Sequence, residues 1–201
     1  MSGYTVPKLE KPGKPGRKTA ILIASGDFRD IANTTCWPAQ RQLEDAAREA
    51  FGSIGWKLER AGGDDYGKGH GFVDSQACGR RVFTDIHPDA PLVVAEAVWQ
   101  YSQHVFIGLA HHRGPILLLA NWSGQWPGLV GVLNLRGSLT KAGVEYSILW
   151  GEDFADSSFR QKLAQWTDKG RIKHDLSHVR KLNPDDLPRA ERKLGESLAM
   201  E

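Results

Sequence analysis

Short apolar segments typical of buried β-strands alternate five times with segments of helical periodicity, and this alternation restricts the fold more than any other feature. Such an alternation is typical of βαβ units, which place parallel strands in one sheet and helices on both of its faces. We therefore predict an α/β fold with an open, mostly parallel five-stranded sheet, flavodoxin-like or Rossmann-like, in the strand order 2-1-3-4-5. The predicted strands are residues 19–24 (TAILIA), 56–60, 91–98, 116–120 (ILLLA) and 144–149.

The helices between these strands are predicted from apolar residues that recur three or four positions apart. In the first of them, Pro38 suits the first helical turn. The apolar stripe that follows it consists of Leu43, Ala46, Ala47, Ala50, Phe51 and Ile54. Further helices are predicted at residues 73–86, 103–112, 128–141 and 159–169, and the Gly-rich segment 62–71 is predicted to be a loop.

Charge and cysteine content exclude several classes of protein. The chain has 201 residues, with 26 basic and 24 acidic side chains, and this balance is too even to indicate a nucleic acid or an anionic membrane as a partner. Two cysteines in a chain of this length favour a reduced, cytoplasmic setting over a disulfide framework. The first 20 residues lack the apolar core of a signal peptide, and no apolar run is long enough for a membrane span.

The composition divides the chain into three parts. Residues 1–18 are predicted to form a flexible basic arm, since residues 6–18 contain three Pro, two Gly and five basic residues against one acid. Aromatic residues that would stack on bases do not interleave with these charges, which argues against a nucleic-acid arm. Residues 19–170 form the predicted flavodoxin-like domain, and residues 171–201 have the charged helical pattern of a linker toward further domains.

The candidate binding residues follow the predicted strands. In an open parallel sheet, ligands bind in the crevice at the carboxyl ends of the strands. Tryptophan and hydrogen-bonding side chains collect there, which is typical of a polyol site: flat rings cover C–H faces while amide and guanidinium groups satisfy hydroxyls. The alternative is that these Trp residues plug the end of the core or meet a neighbouring subunit. The candidate substrate-binding residues are Arg29, Trp99, Asn121, Gln125 and Trp126.

Nucleotide binding and metal chemistry have weaker support in the sequence than a polyol site has. No G-x-G-x-x-G follows the first strand and no P-loop sequence is present. Residues 25–27 (SGD) fit either a phosphate-binding turn or a plain turn. No pair of carboxylates with a histidine is placed convincingly for metal catalysis, so no catalytic and no metal-ligating residue is assigned.

Five short patterns occur in a characteristic order and spacing. They are Gly26-Asp27-Phe28-Arg29, Trp99-x-Tyr101, Asn121…Gly124…Pro127-Gly128, Lys141-Ala142-Gly143 and Gly151-Glu152-Asp153. Over residues 19–170, the chain resembles the N-terminal domain of the L-fucose isomerase family and, more distantly, of the L-arabinose isomerases.

This resemblance implies a role in the interconversion of an aldose and a ketose. In such enzymes a divalent metal, usually manganese, holds adjacent sugar oxygens while protons move between C1 and C2 through an enediol. The N-terminal domain caps a neighbour's active site and builds a hexamer. By resemblance Arg29 and Trp99 line the substrate site, and Asn121, Gln125 and Trp126 lie on the same rim.

The resemblance also places the metal ligands, two carboxylates and a histidine, in later domains. We therefore expect no cofactor in this chain, Mn²⁺ in the full-length protein, and a chain that is not catalytic alone. The expected partners are a monosaccharide and further copies of the chain, as a hexamer or trimer. Two alternatives remain, namely a stand-alone sugar-binding module of the same fold and a flavodoxin-type carrier of flavin or nucleotide. The lack of a phosphate-binding loop argues against the carrier.

Overall fold

The computed structural model describes residues 12–62, 67–97 and 104–177, together with Val179 and Lys193. Residues 1–11 of the predicted arm, Trp99 and most of the predicted linker lie outside the described residues. The five strands and five helices given below all fall within residues 19–170, the predicted domain.

Five parallel strands form one open sheet in the order β2-β1-β3-β4-β5, which confirms the predicted fold class and strand order. The central strands β3 and β4 are buried almost throughout, because helices cover both faces of the sheet at these strands. The strands are β1 (Thr19–Ile23), β2 (Lys57–Arg60), β3 (Leu92–Glu96), β4 (Ile116–Asn121) and β5 (Ser147–Gly151).

Five helices divide between the two faces of the sheet. Side chains of α1 and α5 pack on one face, in a core that contains Phe51 and Trp166. Side chains of α2, α3 and α4 pack on the other, around Leu109 and Val132. The chain therefore changes face between β1 and β3, where the strand order reverses. The helices are α1 (Asp30–Ser53), α2 (Gln76–Thr84), α3 (Phe106–His111), α4 (Leu129–Lys141) and α5 (Ser157–Lys169).

The start of α1 differs from the prediction. The helix begins at Asp30, so Pro38 lies inside it and not in its first turn. A proline inside a helix costs about 3 kcal/mol because a backbone hydrogen bond is lost and the ring meets the preceding turn. Here the early turns bury Cys36 and Trp37 against Phe72, and this packing offsets that cost.

Smaller differences concern the residues at which α2 and β5 begin. Val73 pairs with Ser25 beside the sheet, and the side chain of Ser75 caps α2, so this helix begins at Gln76 instead of residue 73. The strand β5 begins at Ser147 instead of residue 144.

Within the described ranges, no helix has both the length and the apolar character that crossing a bilayer requires.

Candidate functional site

Two cavities open at the carboxyl edge of the sheet. The first, of about 650 Å³, is formed by segments that follow β1, β2 and β3, and its lining includes Phe28, Asp30, Lys68, Asp74 and His104. We call it the switch-point crevice because it lies where the strand order reverses. The second, of about 480 Å³, is formed by α1 and the segments that follow β3, β4 and β5, and we call it the rim cavity.

Arg29 stands at the carboxyl end of β1 in a two-bond ion pair with Asp27. Its Nε donates to Oδ1 at 2.9 Å and its Nη2 donates to Oδ2 at 2.8 Å, while its backbone N–H also donates to Oδ1 at 2.9 Å. The hydrogen bond from the guanidinium holds the pKa of the Asp27 carboxyl below its usual value. The side chain of Arg29 remains 56% exposed. The guanidinium is therefore oriented and still accessible to a ligand.

Asp27 is itself held in place by Asn33, from the first turn of α1. The backbone N–H of Asp27 donates to Asn33 Oδ1 at 2.8 Å, and Asn33 Nδ2 donates to the Asp27 carbonyl at 2.8 Å. Both residues are buried. The early start of α1 thus fixes the turn that presents Arg29.

Charged and titratable groups from three segments of the chain line the switch-point crevice or, in the case of the buried His70, lie next to its lining residues. Lys68 is ion-paired with Asp74. Burial alone would raise the pKa of Asp74, but the hydrogen bond and charge of Lys68 outweigh it and the pKa is lowered. His70 accepts the N–H of Phe72 at Nδ1, so its Nε2 carries the proton and faces Asp30 Oδ1 at 3.2 Å. Burial lowers the pKa of His104, which favours a neutral imidazole.

Glu96 ends β3 with a buried carboxyl group. Its Oε1 accepts the N–H of Ser25 at 3.2 Å, and its Oε2 has no hydrogen-bond partner within the described part of the chain. Burial raises the pKa of Glu96 well above its usual value, and the nearby charge of Glu44 adds to this effect. Burial therefore favours the neutral form of this carboxyl group, which ends the central strand of the sheet.

Gln40 of α1 fixes the end of β3 from the other side of the sheet. Its Oε1 accepts the N–H of Ala97, and its Nε2 donates to the carbonyl of Ala95 and to Glu44, all at 2.9 Å. Glu44 also accepts from Arg60 Nε at 3.0 Å. This buried network joins α1 and β2 to the carboxyl end of β3.

Asn121 organises the loop that follows β4. Its Nδ2 donates to the carbonyls of Ser123 and Trp126 at 2.9 and 3.0 Å, and its Oδ1 accepts the N–H of Gly128 at 3.0 Å. Both amide hydrogens are therefore used within the loop. Asn121 therefore shapes the rim, and contacts to a ligand would come from neighbouring residues.

The rim cavity has the mixed lining that polyol recognition requires. Gln125 is exposed at its mouth, and Trp126 packs against the buried cluster that includes Trp37. Ser123 donates to Glu152 at 3.0 Å and so joins the loops that follow β4 and β5. Apolar lining residues include Pro38, Leu43 and Phe154, and polar ones include Gln42, Gln125, Glu152 and Asp153.

The predicted site residues thus divide between two places. Asn121, Gln125 and Trp126 line the rim cavity together. Arg29 does not line that cavity and lies beside the switch-point crevice, next to Phe28. Trp99 lies outside the described residues. The sequence interpretation missed Gln42 because a polar residue on a helix carries no pattern that aims it at a site. It also missed Lys68, Asp74 and His104, which come together only through the fold.

The described residues offer no donor set for a metal ion. Within these ranges, no three side chains of His, Cys, Asp or Glu are grouped so that they could hold one. The manganese implied by the resemblance does not fit these residues, and no step of a reaction is assigned to a metal on them.

Comparison with models of known protein families gives no match, and comparison with curated proteins gives none either.

Proposed function

We propose that this chain is the substrate-capping and assembly domain of an L-fucose isomerase-like, metal-dependent aldose–ketose isomerase. The order of the motifs supports this proposal, and so does the position of Arg29, Asn121, Gln125 and Trp126 at one edge of the sheet. Manganese and the carboxylates that move protons would come from other domains. This chain would supply contacts to the sugar and to neighbouring subunits.

The rim cavity is the observation that carries the proposal. It combines an indole ring, Trp126, with the amide of Gln125 and the carboxylates of Glu152 and Asp153 in a volume of about 480 Å³. An indole ring covers the C–H face of a sugar, while carboxylate and amide groups accept from its hydroxyls. A nucleotide is a poorer fit, because two carboxylates at the cavity would repel its phosphates.

Exposed apolar side chains support the assembly role. Trp122 follows β4, and Trp150 lies in the neighbouring edge strand β5. Both side chains are exposed. Val130 and Leu133 are exposed on α4, three residues apart and hence on one face of the helix. These side chains are the apolar groups that a neighbouring subunit would cover in the proposed assembly.

The test uses the protein encoded by the complete reading frame, supplied with Mn²⁺ and L-fucose. We expect isomerisation to the ketose, with KM raised about tenfold by Gln125→Ala or Arg29→Ala, which corresponds to one lost charged or polar contact. Arg113→Ala is the matched control, since Arg113 is also an exposed arginine paired with an aspartate, at the opposite edge of the sheet. Failure to isomerise L-fucose, L-arabinose and D-arabinose would contradict the proposal.

A stand-alone sugar-binding module is the second candidate, because Gln125, Trp126 and the carboxylates of Glu152 and Asp153 already supply amide, indole and acceptor groups to the rim cavity. Calorimetry of residues 1–201 with the same three sugars separates the two proposals. Saturable binding without metal, abolished by Gln125→Ala, favours the module. Absence of binding favours the capping domain, whose pocket is completed by other domains.

A further inference from the structure

A third cavity runs between α2 and α3, and it shares Gln76 and His104 with the switch-point crevice at one end. This α2–α3 groove has a volume of about 1100 Å³. Its apolar lining comes from Phe83 and Ile86 on one side and from Phe106 and Ile107 on the other. Ile107 is 54% exposed, so solvent reaches its apolar side chain within the groove. The groove therefore offers apolar surface to a ligand.

Two glycines hold the walls of the groove close together. A Cβ atom at Gly108 would lie 2.1 Å from the ring of Phe83, and one at Gly79 would lie 2.4 Å from the carbonyl oxygen of His104. Because side chains are absent at these two positions, α3 and the residues that precede it approach α2 directly. The groove is thus part of the packed structure of this face.

The charges at the groove are mainly positive. Arg80 is exposed and makes no ion pair with any residue that the structure describes, whereas Arg113 is paired with Asp89 at 2.9 Å. His111 and His112 each donate one ring N–H to a backbone carbonyl, of Ile107 and Ala90 respectively. Burial lowers the pKa of His112, which favours its neutral form. Arg80 is therefore the unbalanced charge beside an apolar surface.

We infer that the α2–α3 groove binds an amphipathic anion, a molecule with an aliphatic or aromatic body and one carboxylate. The body would lie against Phe83, Phe106 and Ile107, and the carboxylate would pair with the guanidinium of Arg80. Arginine is the side chain best suited to a carboxylate, because its planar fork donates two parallel hydrogen bonds. This inference goes beyond the proposed function and concerns a different face of the domain.

The chain's own N-terminal segment is a poorer match for the groove. Pro12 lines the groove, so this segment enters the described structure beside it. Residues 1–11 contain two lysines and one glutamate, and their net charge has the same sign as that of Arg80. An anionic ligand complements the positive charge of Arg80, whereas residues 1–11 do not.

The experiment titrates residues 1–201 with dodecanoate and follows both heat and the displacement of anilinonaphthalene sulfonate, a fluorescent amphipathic anion. We expect saturable binding of dodecanoate, and binding at least about tenfold weaker for dodecanol and dodecyltrimethylammonium, which lack the anionic group. Arg80→Glu should weaken dodecanoate about tenfold and reverse the preference toward the cation. Ile107→Glu should abolish binding of all three.

Leu133→Glu is the matched control, because Leu133 is an exposed aliphatic residue on α4 instead of α3. It should leave dodecanoate binding unchanged, and circular dichroism should show all three variants to be folded. Equal affinity for dodecanoate and dodecanol, or unchanged binding in Arg80→Glu or Ile107→Glu, would overturn the inference. Binding that occurs only after removal of residues 1–11 would overturn it too, because the groove would then belong to the chain's own arm.

Discussion

The carboxylate of Asp27 holds the guanidinium of Arg29 through two bonds of 2.9 and 2.8 Å, although the two side chains differ greatly in exposure, at 9% and 56%. Asp27, the buried partner, therefore depends on the ion pair for its hydrogen bonds more than Arg29 does. Without the Arg29 side chain, the described residues would leave the carboxylate only the N–H of residue 29 as a donor, whereas without Asp27 the guanidinium could turn to water.

Arg29→Ala should consequently lower the free energy of unfolding by about 1–2 kcal/mol at pH 7, the cost of a buried polar group that loses its partner. The measurement is urea unfolding followed by tryptophan fluorescence. The pKa of Asp27 is lowered in the folded state, so this stabilisation is present above the usual carboxyl pKa and is lost as pH falls below it. The stabilities of the wild type and the variant should therefore converge as pH falls through the lowered pKa of Asp27. Arg113→Ala, which breaks a pair of two exposed side chains, should cause a smaller loss.

Asn121 ends β4 and Gln125 lies four residues further on, in the loop that follows, and the two should respond differently to replacement. Asn121→Ala removes three hydrogen bonds that build the loop and should cost about 2–3 kcal/mol of stability. Gln125→Ala removes an exposed side chain and should change stability by less than about 0.5 kcal/mol. Thermal unfolding measures both, and equal losses in the two variants would show that Asn121 does not organise the loop.

The strands and their order could be predicted because the buried parallel strands are continuous apolar runs. A segment such as residues 116–120 has no polar residue, which is typical of a strand at the centre of a parallel sheet. The start of α1 could not be predicted in this way, because Pro38 indicates a first turn locally while the burial of Trp37 requires an earlier start. Local pattern and tertiary packing disagree there, and packing is stronger.

The site was predictable only as an edge of the sheet. Sequence places Asn121, Gln125 and Trp126 after one strand, and the structure brings them to one cavity. The sequence does not reveal that the amide of Asn121 is already hydrogen-bonded within the loop. Nor does it predict the burial of Gln40, since its partners are the backbone groups of residues 95 and 97, far away in the sequence.

The buried acid Glu96 should make the stability depend on pH above the usual carboxyl range. Its pKa is raised in the folded state, so the folded protein keeps a proton that the unfolded chain releases. Stability from this group is therefore present at low pH and is lost as pH rises toward the raised pKa, with a slope of at most about 1.4 kcal/mol per pH unit. Glu96→Gln removes this dependence while its Oε1 still accepts from Ser25.

The measurement is the difference in unfolding free energy between Glu96→Gln and the wild type, taken from pH 5 upward. Other groups, including His104 and His112, cancel in this difference because both proteins contain them. The variant should gain stability relative to the wild type as pH rises. A difference that stays constant from pH 5 to pH 9 would mean that Glu96 is not held in its protonated form.

Two glycines at α4 should have opposite sensitivities to an added methyl group. A Cβ atom at Gly128, just before the helix, would lie 1.6 Å from the carbonyl oxygen of Glu96, and a backbone atom cannot move aside as a flexible side chain can. Gly128→Ala should therefore cost about 3 kcal/mol or more and disturb the end of β3. At Gly137, inside the same helix, no neighbour lies within 4 Å of the added Cβ. Gly137→Ala should stabilise the protein by about 0.5–1 kcal/mol through helix propensity. Urea unfolding of the pair compares them directly, and a tolerated alanine at residue 128 would show that α4 does not press its first turn against β3.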